Sequence, residues 1–266
     1  RSGGKDNTLL SILSSVKTKF VGRFTIMIFI GYSNKDRYDI VESMVFHLKN
    51  YGMNVWYDFH DMMLSDNRFH ENFESGIGKS TYVIFIISHN FFSSRCATEE
   101  LKYAQNLYEK GEIILFPILY LIKASELPED YSWVKKIIYN EVNGQSGTLF
   151  VTNQIIEKLL HDEGKALPYR SFSELSKVCY KQEKMYLGNL LDTFISLDLP
   201  NYSARIALLY AAYLFITIEG TEKYDTYINK IVTRIFSFTS LNISLDHLTF
   251  RIFQLAMLIA LNKYLQ

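Results

Sequence analysis

SHNFFSSRCATEELKYA, residues 88–104, decides how the rest of the chain is read. It follows YVIFII, residues 82–87, an unbroken apolar run of strand length and β-branched composition, and it leads into residues with helical spacing. The stretch therefore predicts a turn from strand to helix. Ala97, Leu101, Ala104 and Tyr108 recur at steps of four, three and four residues, which draws one apolar stripe along a helix. Ser93 or Ser94 would cap that helix and Gly111 would end it. Glu100 stands at the edge of the stripe, with Cys96, Tyr103 and Leu107 on its side, so its carboxyl group is expected in a partly apolar wall. The pattern by itself favours a plainer reading, in which Glu99 and Glu100 are adjacent surface acids on an ordinary amphipathic helix.

Outward from this stretch, strands and helices alternate. Residues 24–30 (FTIMIFI) are almost wholly apolar, as a strand covered on both faces must be. The polar turn GYSNKDR follows, then a helix over about 38–51 with Val41, Met44, Val45 and Leu48 on one face and Gly52 as its stop. A short strand at 54–57, a loop over 58–68 and a helix aligning Phe69, Phe73 and Ile77 come next. A fourth strand is expected at 113–118, a short fifth within 136–142, and a closing helix at about 149–160. Alternation at this spacing implies right-handed crossovers and an α/β, flavodoxin-like parallel sheet with helices on both faces. Ligands of such sheets bind beyond the carboxyl ends of the strands, where strand order reverses. The polar loops 31–36, 58–68 and 88–100 all belong to that edge.

Around Gly164 and Pro168 the period changes and only helical spacing remains. SFSE at 171–174 is a capping box. Helices are expected near 174–183, 186–197, 202–218, 222–239 and 245–265, forming an all-α helical bundle. The 202–218 segment is apolar nearly all round and is expected at the bundle's centre. The division predicted is a lead-in over 1–21, an α/β domain over 22–163 and a helical domain over 168–266. Residues 1–4, RSGG, lack an initiator Met and read as an expression scar.

Composition narrows the function. With 28 basic and 28 acidic residues the chain is formally neutral, so a nucleic-acid partner is not expected. The two cysteines, Cys96 and Cys179, lie in separate segments, a sparse usage that fits a reducing cytoplasm. The six histidines show no ligand spacing, so no metal is expected. The most apolar run, 206–216, is too short to span a bilayer. A soluble protein is the expectation.

Four ordered motifs carry a resemblance to the Toll/interleukin receptor (TIR) domain family. FIGYSNKD, 29–36, resembles the family's first box, with Gly31 where a serine is usual. GMNVWYDFHDMMLSD, 52–66, resembles the second box and its loop through Trp56, Tyr57, Asp58, Met62, Leu64 and Asp66, with Ser65 where glycine is common. In the opening stretch Ser88, Asn90, Phe91, Ser94, Glu100, Leu101 and Ala104 keep the family register, with Cys96 where a tryptophan stands and Ala97 where a cysteine does. FPI, 116–118, resembles the third box. The likeness covers about 21–163.

What the resemblance implies is cleavage of NAD at the nicotinamide–ribose bond, with NAD as substrate and not as cofactor. Glu100 takes the place of the family's catalytic glutamate. Gly31, Tyr32, Ser33, Asp36, Asp58, Asp66 and Cys96 are the candidate nucleotide-binding residues. For several of these a structural job is equally open. Asp36 and Asp66 precede amphipathic segments, as helix caps do, Tyr32 and Ser33 suit a turn, and Trp56 and Phe116 sit in strand runs and suit the core. Hydrolysis to ADP-ribose and cyclisation to a cyclic ADP-ribose variant remain alternatives. The resemblance also implies homo-oligomers, and a Thoeris-like antiphage role would add a separate effector that senses the product. Its other branch is a non-catalytic interaction module. The helical domain matches no family by its motifs, and a self-association surface is expected there.

Overall fold

The computed structural model describes residues 26–57, 69–144, 147–167, 170–219 and 226–266. It divides into two compact units, one of residues up to Lys49 with Met53–Thr152, the other of Asn50–Gly52 with Asn153–Gln266.

In the first unit β1 (Met27–Gly31), β2 (Asn54–Trp56), β3 (Tyr82–Ile87), β4 (Ile114–Tyr120) and β5 (Asn140–Val142) form one sheet in the order β2-β1-β3-β4-β5. Every pairing is parallel. This is the flavodoxin-like order, and it reverses between β1 and β3. All six residues of β3 are buried, as a central strand covered on both faces requires. Phe29, Val83, Phe85, Ile87, Leu115 and Leu119 form the core of one face with Phe91 and the helix α3 (Arg95–Glu109), which contributes Ala97, Leu101 and Ala104. Burying a leucine such as Leu101 stabilises by roughly 1.5–3 kcal/mol, so the stripe is enough to seat this helix.

The helix α1 (Glu42–Asn50) is entered through a 3-10 turn, Asn34–Asp36, and a π-helical turn, Arg37–Val41. A second π-helix, Phe69–Ile77, precedes β3. The predicted strand-to-helix turn contains an element of its own, the single-turn helix α2 (His89–Phe92). Ser94 is the cap of α3, accepting from Ala97 N at 3.4 Å. Gly111 ends it with φ +69°. There Gly111 N–H donates to Tyr108 O and Glu112 N–H to Leu107 O, the paired bonds of a Schellman stop. β4 runs two residues beyond the predicted end. Residues Glu129–Lys136 form a 3-10 segment, which leaves only Asn140–Val142 for the fifth strand.

The helix α4 (Thr148–Ala166) is longer than predicted. The compact units divide inside it, between Thr152 and Asn153, whereas the change of period in the sequence lies at Gly164 to Pro168.

The second unit is helical: α5 (Phe172–Lys181), α6 (Met185–Ser196), α7 (Tyr202–Glu219), α8 (Thr226–Ser240) and α9 (His247–Tyr264). The capping box is present, with Ser171 Oγ accepting from Glu174 N at 3.3 Å and Glu174 accepting from Ser171 N at 2.7 Å. The centre of the bundle differs from expectation. α7 buries Ile206, Leu209, Ala212, Tyr213 and Ile216 but leaves Leu214 and Ile218 exposed. The most continuously buried helix is α9, which packs on α5, α7 and α8. Its small residues Ala256 and Ala260 are fully buried, and small residues at a crossing let helices approach closely. Overall apolarity of a segment does not show which face finds neighbours. Among the described residues no helix is long and apolar enough to cross a membrane.

Candidate functional site

Where β1 and β3 diverge, the loops after them are tied together by one buried acid. Asp36, 1% exposed, accepts from Ser88 Oγ at 2.5 Å and from Asn90 Nδ2 at 2.7 Å. Ser88 is also the N-cap of α2, its Oγ accepting from Phe91 N at 3.0 Å. A buried carboxylate needs such donors, since leaving it unbonded costs more than for a neutral group. Asp36 therefore fixes the loop from β1 against the loop from β3 at the switch point.

Tyr32 and Tyr57 continue the site towards β2. Their rings stack with centroids 5.5 Å apart. Tyr57 donates to Glu42 Oε1 at 2.6 Å, and Arg37 Nε donates to Tyr32 Oη at 3.4 Å. Burial, and then the acceptor Glu42, hold the Tyr57 phenol well above its usual range, so it remains a donor. Ser33 is buried, and its carbonyl accepts from Asp36 N at 2.8 Å.

Gly31 is explained by its neighbour. It is paired in register with Phe85, and a Cβ at Gly31 would lie 2.2 Å from that ring. The space that a serine side chain would take is filled by phenylalanine.

Glu100 is on the second turn of α3 and is only 6% exposed. Asn72, on the π-helix Phe69–Ile77, is 3% exposed and donates from Nδ2 to Glu100 Oε1 at 2.8 Å. The two helices are further joined by Phe73 and Tyr103, whose rings meet edge to face at 5.1 Å. Glu99 has a different environment, pairing with Arg95 at 2.8 Å in an exposed i, i+4 bridge. The surface-helix reading thus describes Glu99, and Glu100 points into the protein. Cys96 is exposed, in no disulfide, and stands one helical turn before Glu100.

The geometry brings Asp36 together with Ser88 and Asn90, Tyr32 with Tyr57, and Glu100 with Asn72. Asp58 and Asp66 lie outside the described residues, as do Met62, Leu64 and Ser65. Asn72 and Glu42 were not singled out in the sequence. The available signal for Asn72 was an amide three residues after Phe69, on the stripe of a helix that otherwise buries apolar side chains.

A parallel sheet in this order, with polar loops joined over its switch point, defines a flavodoxin-like α/β domain. The TIR domain family model matches residues 28–146, and this part of the chain is a TIR domain. Among curated proteins the chain is similar to the NAD(+) hydrolase TcpA of a Theionarchaea archaeon, 26% identical over 149 residues, covering 55% of this chain and 44% of that one. It is 33% identical over 101 residues to the NAD(+) hydrolase TcpC of Escherichia coli, covering 37% and 32%. It is 29% identical over 115 residues to the probable 2′ cyclic ADP-D-ribose synthase TcpO of Methanobrevibacter olleyae, covering 43% and 33%. The chain spans less than half the length of each of these relatives.

Proposed function

We propose that the TIR domain cleaves the nicotinamide–ribose bond of NAD and that Glu100 is its catalytic residue. The observation that carries this reading is a carboxyl group only 6% exposed and held by a neutral amide, in a domain whose relatives include named NAD(+) hydrolases. Nicotinamide in NAD is cationic and departs neutral, so the leaving group needs no acid. The demand is on the ribose, which becomes oxocarbenium-like as the bond breaks. A fixed carboxylate close to it, in a site poor in water, stabilises that charge without reorganising. Tyr32, Ser33 and Asp36 form the nucleotide-facing edge in this reading. Capture of the ribose by water gives ADP-ribose, and capture by a nucleophile of the same molecule gives a cyclic product.

The reading extends to a cytoplasmic enzyme that works as a homo-oligomer in immune or antiphage signalling, its product sensed by a separate effector. Support for self-association is the exposed apolar set Met185, Tyr186, Leu199 and Ile218 in the helical unit. The test is nicotinamide release from NAD by the purified chain over a range of concentrations, with products separated by chromatography. Nicotinamide with ADP-ribose or a cyclic isomer is expected. Intact NAD at every concentration would leave a non-catalytic interaction module as the function.

A further inference from the structure

Asn72 makes one hydrogen bond through its side-chain nitrogen, to Glu100. Its carbonyl, Oδ1, is buried and has no hydrogen-bond partner among the described residues. A buried amide normally satisfies both ends, and an unmet carbonyl costs about 1–3 kcal/mol. Turning the amide over would place its oxygen against the Glu100 carboxylate and put two acceptors face to face. The orientation seen is therefore imposed by Glu100, at the expense of the amide's own carbonyl. Packing alone would be served at this site by leucine, which has similar bulk and no unmet polar atom.

We infer that Asn72 is a positioning residue for the proposed NAD cleavage: its amide fixes one oxygen of Glu100 and thereby aims the other at the ribose. The inference rests on the reading of Glu100 given above. A donor to one oxygen stops the carboxylate from rotating about its terminal torsion, which is broad when nothing holds it. The amide is itself held rigidly, because Phe73, the next residue, packs on Tyr103 of α3. Orientation of this kind acts on the chemical step more than on substrate binding.

The test compares nicotinamide release by wild-type chain, Asn72→Ala and Asn72→Asp, from pH 5 to 8, with folding checked by circular dichroism. Loss of a hydrogen bond to a charged group predicts a fall of about ten- to a hundredfold in kcat for Asn72→Ala, with KM changed little. Asn72→Asp keeps the shape and reverses the chemistry. While it shares a proton with Glu100 it still donates, and once both are ionised they repel. Its activity relative to wild type should therefore rise as pH falls. The other titratable groups on the two packed helices are His70, Glu71 and Glu74 on one and Arg95, Cys96, Glu99, Lys102, Tyr103, Tyr108 and Glu109 on the other. They are common to all three proteins and cancel in the ratio. If wild type is active and Asn72→Ala retains kcat within twofold, the inference falls and the reading of Glu100 stands. An Asn72→Asp defect of equal size at every pH also overturns it, because a purely structural role would give that result. No nicotinamide release by wild type overturns the inference together with the proposed function.

Discussion

Gly31→Ser would restore the residue usual in the first TIR motif, and the packing shows why it should be damaging here. A Cβ at this position meets Phe85 at 2.2, 2.6 and 3.0 Å, all three contacts with ring carbons. The ring has no room to retreat: Phe85 is fully buried, with Phe29 at 6.3 Å and Phe91 at 6.0 Å between centroids. Overpacking of this kind costs about 1–3 kcal/mol. The smaller conformational freedom of serine in the unfolded chain returns about 0.5–1 kcal/mol. The net loss is on the order of 1–2 kcal/mol, read from urea denaturation of the purified chain. Phe85→Leu removes the ring edge and should cost on the order of 1–2 kcal/mol by itself. The two changes should then be strongly non-additive, the double variant being no less stable than Phe85→Leu alone. A neutral Gly31→Ser, or simple addition of the two costs, would refute the steric account.

Glu100→Gln should lower NAD cleavage a hundredfold or more, about 3 kcal/mol of barrier, while Glu99→Gln leaves it within twofold; the reverse pattern in a nicotinamide-release assay would reassign the site. Ser88→Ala takes from Asp36 a donor and from α2 its cap, which should destabilise the first unit by about 1.5–3 kcal/mol in chemical denaturation; a neutral result would show that the tie is not needed. Burial pushes the Cys179 thiol up to about 11, so in the folded chain a disulfide reagent at pH 8 should label Cys96 quickly and Cys179 only after denaturant is added, as mass spectrometry would show. In the helical unit, hydrogen bonds from Ser176 and Tyr180 hold the Asp192 carboxyl below its usual range. A lowered folded-state value stabilises above the unfolded value of about 3.9 and is lost as pH falls through the folded one. Asp192→Asn should therefore lower the urea midpoint at pH 7 by a small amount, and the gap from wild type should close below about pH 4.

Elements that satisfy their own local rules were legible in the sequence. The run 82–87 is apolar at every position and became the central strand, the capping box at Ser171 formed, and Gly111 ended its helix. Properties that depend on which surfaces meet were harder to read. α2 is a single turn held by the Ser88 cap, too short to show a period. The apolar segment 202–218 was expected at the centre of the bundle, yet α9 is there, because its alanines allow neighbours to close on it. Glu100 was expected in a partly apolar wall, and that much follows from the stripe. Its contact with Asn72 spans 28 residues of sequence, and no local pattern encodes it.

The tie through Asp36 has a consequence for how the protein comes to possess its site at all. Asp36 reaches Ser88 and Asn90 across 52 and 54 residues of chain, and it can do so only once β3 lies beside β1. Closing so long a loop is entropically costly and is recovered only from the contacts it brings together. During synthesis, the chain up to β2 holds the acid without either of its donors, and the crevice does not exist. The site is thus a product of the completed sheet, and a nascent or partly unfolded chain should be inert.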